Sequence, residues 1–334
     1  MARIVLDAMG SDRHPEPEIA AAHKAAAHFG DEITLVGPEE RLASRITNPS
    51  VHLMHAGDVF EMAEHISADE LRRSQNSMAA GIQMVKDGKA DAFVTMGNTA
   101  GALATGLYKL GRIGGVKRPA LTALFPVKGG RCVLLDIGAN AECRPEYLVQ
   151  FARMGAVYAE IILGVANPRI GLLSNGEEAG KGTTLVKETY PLLKASGLNF
   201  IGNVEGKELF GGLADVVVTD GFTGNVLLKS SEAVAKLLID TLREELYASA
   251  RTKIGGLLAR PAFNRIRKLL DPADIGAVPL LGLGGLVFVG HGRSDERAVF
   301  NAVRMARQAV EGNLLVRLQS ALAMEPESQV EVVG

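Results

Sequence analysis

Five short loops rich in glycine and in Asn, Asp or Thr each follow a run of β-branched and aliphatic residues. They are Asp7-Ala8-Met9-Gly10-Ser11-Asp12 after 4–6, Met96-Gly97-Asn98-Thr99-Ala100-Gly101 after 92–95, and Asp136-Ile137-Gly138-Ala139-Asn140 after 133–135. The fourth is Ser174-Asn175-Gly176-Glu177-Glu178-Ala179-Gly180-Lys181-Gly182 after 170–173, and the fifth is Thr219-Asp220-Gly221-Phe222-Thr223-Gly224-Asn225 after 216–218. Glycine permits left-handed backbone and close approach to a ligand, while Asn, Asp and Thr cap a following helix. A helix start with unpaired N–H groups attracts anions. Phosphate binding and stabilisation of a developing oxyanion are the chemistry such loops suit. In a parallel sheet they gather at the carboxyl edge, where open α/β proteins bind ligands. Five of them predict one polar, anion-accepting cleft.

Other chemistries lack their residues. No G-x-G-x-x-G follows a strand-like run, so a nicotinamide or flavin fingerprint is missing. Residues 176–183 imitate a phosphate-binding P-loop, but the glycines stand one residue too close and Gly182 replaces the magnesium-holding Ser or Thr. There is no G-x-S-x-G elbow and no H-E-x-x-H helix. His52, His55 and His65 read as surface or sheet-edge residues, whereas His291 follows a strand-like run and can enter the cleft. Cys132 and Cys143 make neither a disulfide framework nor a zinc pair. Cys143, just beyond the 136–140 loop, is the one thiol placed to act as a nucleophile, and no neighbour in sequence lowers its pKa.

Ten strand-like runs hold these loops: 4–6, 33–36, 51–54, 92–95, 121–125, 133–135, 170–173, 199–201, 216–218 and 286–289. Helix-like stretches such as 78–86, 145–163 and 231–246 lie between many of them. Strands alternating with helices predict an α/β fold with a largely parallel sheet covered on both faces. The 334 residues contain no repeat, low-complexity tract or long linker, which predicts one domain over 1–324 and a polar tail at 325–334. Apolar residues at 47% and charged residues at 22% suit a globular protein with a real core. Thirty-six basic against 38 acidic residues give a net charge of -2 and no general pull towards nucleic acid. No apolar run reaches the ~18 residues of a membrane span, and the N-terminus lacks a signal-peptide profile. These features exclude secreted disulfide-stapled, collagenous and integral-membrane classes and lead to a cytoplasmic expectation.

Taken in order, the loops resemble those of the phosphate acyltransferases of bacterial phospholipid synthesis. The resemblance rests on Asp7-Ala8-Met9-Gly10, on Gly88-Lys89-Ala90-Asp91 leading to Gly97-Asn98-Thr99, and on Leu135-Asp136-Ile137-Gly138-Ala139-Asn140. Gly202-Asn203-Val204-Glu205-Gly206, Asp220-Gly221-Phe222-Thr223-Gly224-Asn225 and Pro279-Leu280-Leu281-Gly282 continue it. It implies a three-layer α/β/α sandwich, Rossmann-like and similar to isocitrate and isopropylmalate dehydrogenases and phosphotransacetylases, assembled as a homodimer. It also implies an enzyme that makes acyl phosphate from an acyl-acyl-carrier-protein thioester and inorganic phosphate. No cofactor and no metal is expected.

A thioester carbonyl is already activated, so phosphate can attack it directly. The protein must then hold a dianion, neutralise an oxyanion and help a thiolate leave. Lys181, between Gly180 and Gly182, is the candidate cation, the alternative being a solvated loop lysine. Asn225, after Gly224 at a helix start, is the candidate amide donor to the carbonyl oxygen, the alternative being ordinary capping. Gly97, Asn98, Thr99, Gly138, Asn140, Gly180, Gly182, Thr223 and Gly224 are candidate phosphate or substrate contacts. Asp136 and Asp220 end strands and either orient Lys181 or satisfy loop N–H groups; with His291 they are placed behind the contacts. Two other functions stand beside this one. A nicotinamide dehydrogenase of similar fold needs a carboxylate cluster for a metal and a run of arginines, and neither stands out. A non-catalytic scaffold recruited to membranes predicts no turnover.

Residues 251–270 change character. Arg251, Lys253, Arg260, Arg265, Arg267 and Lys268 meet no acidic residue before Asp271, and Leu257, Leu258 and Phe263 are among the apolar residues between them. The spacing is helical, with an apolar stripe in each half, and Pro261 is expected to break the two. One reading is a hairpin at about 247–271 that packs on the core or a dimer partner. The other is a basic amphipathic hairpin that lies on anionic lipid through an apolar tip. The resemblance favours the second, because phosphate acyltransferases associate peripherally with the inner face of the cell membrane.

Overall fold

The computed structural model describes residues 1–57 and 76–323. His65 and the tail at 325–334 lie outside the described residues. In the first half β1 (Arg3–Asp7), β2 (Glu32–Gly37), β3 (Val51–His55) and β4 (Ala92–Thr95) alternate with α1 (Glu16–Phe29), the short α2 (Glu39–Leu42) and α3 (Ser77–Lys86). Pro17 and two glutamates in the first turn start α1, and Gly30 in left-handed backbone ends it. α4 (Thr99–Lys109) leads to the hairpin β5 (Ala120–Val127) and β6 (Gly130–Leu135). Then come α5 (Pro145–Ile162), β7 (Ile170–Leu173), α6 (Thr184–Ala195), β8 (Phe200–Val204), α7 (Gly206–Gly211) and β9 (Val216–Val218). A long pair, α8 (Gly221–Tyr247) and α9 (Ala250–Leu270), precedes the hairpin β10 (Ala277–Leu281) and β11 (Leu286–Gly290), and α10 (Glu296–Glu311) and α11 (Leu314–Ala323) follow it.

All eleven strands form one sheet in the order β3-β2-β1-β4-β11-β10-β5-β6-β9-β7-β8. β3, β2, β1, β4 and β11 are mutually parallel, and so are β6, β9, β7 and β8. Between the blocks the pairings β11–β10, β10–β5 and β5–β6 are antiparallel. Three reversals leave the two blocks pointing in opposite directions. The expectation of five loops on one carboxyl edge is therefore corrected: those after β1 and β4 crown one edge, and those after β6, β7 and β9 the other. The reversal depends on β10, which the sequence pattern does not show as a strand. Pro279 inside it, with Gly276 and Gly282 at positive φ, resembles turn material.

Alternate strand residues face two helical layers. Ile4 and Leu6 pack in the core shared with α1, α5, α10 and α11, whereas Val5 packs with Met78, Ile82 and Ala102 of α3 and α4. On that second face β5 contributes Ala123, Phe125 and Val127 to a core that includes Leu209 of α7 and half-buried Leu227 and Leu228 of α8. Pro261 does not break the basic segment; α9 runs unbroken from Ala250 to Leu270. Its Gly256 lies against Leu246 of α8, and Leu257 and Pro261 are both exposed, so water can satisfy the carbonyl that the proline leaves free. Among the described residues no helix is long and apolar enough to cross a membrane.

Candidate active site

β6 runs straight into Asp136, whose side chain is buried. Its Oδ1 accepts N–H groups of Leu121 at 3.0 Å, Gly138 at 3.2 Å and Ala139 at 3.0 Å. Its Oδ2 accepts the Asn140 N–H at 2.7 Å and the Asn140 Nδ2 at 2.9 Å. Burial pushes this carboxyl above the ordinary range, against the pull of its bonds from Ala139 and Asn140. Asp136 thus closes the 136–140 loop and does not orient Lys181. Asn140 also donates to the Pro119 carbonyl at 2.7 Å. With its amide spent inside the loop, Asn140 supports the site from behind; the expected contact with phosphate is corrected.

The start of α8 rests on this loop. Asp220 caps the helix, accepting the Thr223 N–H and the Thr223 hydroxyl, each at 2.8 Å, and Gly221 N–H donates to the Asn140 carbonyl at 2.8 Å. Gly221 and Gly224, one turn apart, allow the approach. A Cβ on Gly224 would stand 1.9 Å from the Asp136 carbonyl oxygen, and one on Gly221 would stand 2.5 Å from that of Asn140. Gly224 therefore meets a packing demand of its own, beside its expected place among the ligand contacts. The Gly221-x-x-Gly224 spacing was the signal for it. The next residue, Asn225, is half-buried, with Nδ2 3.1 Å from the position a Cβ on Gly138 would take. Gly138 has a φ of 142°, open to glycine. Among the described residues Asn225's amide stays outside the hydrogen bonds that knit loop and cap.

β7 neighbours β9, so its loop at 174–182 stands beside the start of α8. Asn203 on β8 pins it by donating to the Glu178 carbonyl at 2.9 Å. Gly176 lies against the Lys181 stem, Gly182 turns with a φ of 98°, and Thr183 caps α6. Lys181 is exposed. Nearby Lys207 is held by Glu177, Glu205 and Glu208, whereas no ion pair engages Lys181 among the described residues. Two polar atoms here escaped sequence reasoning: Ser174 Oγ and Asn203 Oδ1 are buried without a hydrogen-bond partner. Their position at strand ends beside a glycine loop was the available signal. Cys143 donates to the Asn140 carbonyl at 3.7 Å, and burial pushes its thiol up to about 12, which makes it a poor nucleophile at neutral pH.

The opposite edge holds Gly97, Asn98, Thr99 and His291. Asn98 caps α4 by accepting the Gly101 N–H at 3.0 Å, and Gly97 N–H donates to Thr95 Oγ1 at 2.9 Å. Thr95 in turn donates to Asp7 at 2.7 Å. The topology keeps these residues off the Lys181 edge, but one cavity of about 220 Å³ is lined by Thr99 and His291 as well as by Ile137 and Leu228. Beneath the first loop Glu18 is wholly buried and accepts the Ser11 N–H at 3.0 Å. Burial pushes its carboxyl up to about 7, with Asp7 adding to the rise. The folded state then binds a proton that the unfolded chain has released, so stability is full below the ordinary glutamate range and falls as pH rises through about 7. Glu18→Gln keeps the acceptor for Ser11 and removes the charge. It is expected to flatten this slope and to raise stability at pH 8 by up to about 3 kcal/mol, checked by thermal unfolding at pH 5 and pH 8. Among the described residues no group of His, Cys, Asp and Glu is arranged to hold a metal.

A mixed sheet of two opposed parallel blocks between helical layers, with glycine loops at both carboxyl edges, defines an α/β sandwich of the phosphotransacetylase type. A phosphotransacetylase from Streptococcus pyogenes superposes with a TM-score of 0.63 at 15% identity, covering 93% of this chain and 94% of that one. One from Staphylococcus aureus gives 0.56 at 15% identity over the same shares. The likeness is one of fold. The chain belongs to the family described as fatty acid synthesis protein, which matches residues 2–317. A phosphate acyltransferase of Thermus thermophilus is 48% identical over 324 residues, 96% of this chain and 98% of that protein. One of Myxococcus xanthus is 47% identical over 325 residues, 95% of this chain and 92% of that protein.

Proposed function

We propose that this chain is a phosphate acyltransferase that makes acyl phosphate for phospholipid synthesis, with acyl carrier protein as the thioester donor. An oxygen of hydrogenphosphate attacks the thioester carbonyl carbon, the carbonyl oxygen takes the negative charge, and the carbon–sulfur bond then breaks. The phosphate proton ends on the departing thiol. Lys181 holds the phosphate dianion, and Asn225 Nδ2 donates to the oxyanion beside the start of α8. The observation that carries this reading is the Asn225 amide, unengaged among the described residues, seated by glycines on the 136–140 loop and standing next to the loop of Lys181, which no ion pair among those residues engages. The family assignment disfavours the dehydrogenase and scaffold readings. Incubation with acyl-acyl-carrier protein and phosphate, followed by hydroxylamine trapping, is expected to give phosphate-dependent hydroxamate. Hydroxamate that ignores phosphate, or none at all, overturns the proposal.

A single catalytic domain over 1–324 is part of this reading, supported by one sheet that draws strands from both halves of the chain. The α8–α9 pair supports a homodimer and peripheral contact with anionic membrane. α8 exposes Val234, Leu237, Leu238 and Leu242, and α9 exposes Ile254, Leu257 and Leu258, more apolar surface than a monomer ordinarily leaves in water. The α8 strip suits a second copy of the chain. On α9, Leu257 and Leu258 are 67% and 79% exposed, Arg260, Arg265 and Arg267 are exposed, and Phe263 is half-buried. These residues sit along the helix, away from the turn at 248–249, which supports lipid contact through a face of α9 in place of a tip. Each cation adds about 1 kcal/mol near an anionic surface. Leu257→Glu with Leu258→Glu is expected to release the protein from anionic vesicles in flotation, and salt should weaken wild-type binding. Wild type that fails to float at low salt refutes the membrane contact.

A further inference from the structure

Parallel strands are joined by crossover helices that cover them, whereas hairpin-connected strands bring no helix of their own. β5 leads to β6 and β10 leads to β11 through short turns, so the middle of the sheet lacks such cover. On the face shared by α4 and α8 the apolar cavity of about 220 Å³ occupies this gap. Leu121, Ala123 and Phe125 alternate along β5 to form its floor, and Leu228, Ser231 and Ala235 on successive turns of α8 form a wall. Phe210 packs tilted on Phe125, with ring centroids 5.1 Å apart.

One end of the cavity adjoins the start of α8, and the other reaches Thr99, Gly276 and His291 at the opposite edge of the sheet. Ile137 bonds to Leu121 at the start of β5 and directly precedes Gly138, against which the Asn225 amide lies. Leu228 stands one turn beyond Asn225 on α8. At the other end of β5 Pro126 pairs with Arg131, whose burial lowers its pKa. From Leu121 to Pro126 the strand spans about 16 Å, and from Asn225 to Ala235 the helix spans about 15 Å. The two measures agree on one channel running away from the reacting carbonyl.

We propose that this cavity holds the acyl chain of the thioester, with the carbonyl at Asn225, the methylenes between β5 and α8, and Ala235 and Arg131 limiting chain length. The proposal rests on the acyl-transfer reading and adds where the fatty chain lies. Free energy of burial grows with each methylene, so a narrowed channel should penalise long chains selectively.

Two measurements test it on the full chain. With acyl-carrier-protein donors from butyryl to palmitoyl, Ala235→Phe is expected to lower the palmitoyl-to-butyryl ratio of kcat/KM by about fourfold for each methylene shut out. Ser231→Leu should act in the same direction and serves if the first variant fails to fold. The chain contains no tryptophan, so Phe210→Trp supplies a single reporter. Palmitate brominated at its terminal carbon should quench it saturably, and Ala235→Phe in that background should weaken the quenching. A ratio that both variants leave unmoved, an equal loss for every chain length, or no quenching overturns the acyl site while leaving acyl transfer intact. Saturable quenching in a protein that makes no acyl phosphate from any donor supports the site and sinks the acyl-transfer reading instead.

Discussion

Alanine at Lys181 or at Asn225 is expected to lower kcat by about 10²–10³ while leaving the thermal unfolding temperature unchanged. The first half of that expectation follows from the reaction, in which negative charge on phosphate and on the carbonyl oxygen must be met by fixed donors. The second half follows from the structure. Lys181 is exposed and enters no ion pair among the described residues, and the Asn225 amide stays outside the bonds that close the loop and cap α8. Neither side chain holds the fold, so its loss should be read in rate alone. The variants also separate the roles. Lys181→Arg should recover part of the lost phosphate affinity, whereas Asn225→Asp places a carboxylate where the oxyanion forms and should be worse than alanine. Steady-state kinetics with phosphate varied checks both, and near-normal turnover in both alanine variants refutes the assignment.

What the sequence conveyed about this site was local. Strands at 92–95, 170–173 and 216–218 coincide with β4, β7 and β9, because β-branched runs bounded by glycine and Asn or Asp signal both the element and its end. The direction of a strand is not a local property. A reversal that depends on β10, with Pro279 in its middle, leaves no alternating pattern to detect, so the five loops read locally as sharing one edge, whereas two opposed blocks divide them between two. Side-chain direction was hidden for a similar reason. Asn140 and Asn225 both stand close to glycines just after a strand, yet one bonds to Asp136 and Pro119 while the amide of the other stays outside the bonds that close the loop and cap α8 among the described residues. Only the seating of α8 on the loop decides between them. Pro261 misled because a helix packed along its neighbour tolerates a proline whose freed carbonyl faces water. The cavity over β5 was equally out of reach, since it arises from the helices that two hairpins fail to bring.

The same seating makes Gly224→Ala the substitution expected to damage the protein most. A Cβ 1.9 Å from the Asp136 carbonyl oxygen meets backbone, not the far end of a flexible side chain that could swing away. The first turn of α8 must lift off the 136–140 loop or the loop must shift beneath it. Either movement strains the five bonds that Asp136 accepts and displaces Asn225, the adjacent residue. Overpacking of this kind costs about 3 kcal/mol or more, which corresponds to a fall in unfolding temperature of roughly 4 °C or more. Turnover should fall further than unfolding accounts for, because the folded fraction carries a misplaced amide. Gly255→Ala is the control: it lies within α9 with open space around its Cβ position, and it should raise helix stability by up to about 1 kcal/mol. Calorimetry and single-turnover kinetics of the two variants, side by side, separate a steric demand at Gly224 from a general effect of adding a methyl group to a helix. A Gly224→Ala protein with wild-type unfolding temperature and rate shows that α8 does not depend on this close approach, and Asn225 then loses the geometry on which its role rests.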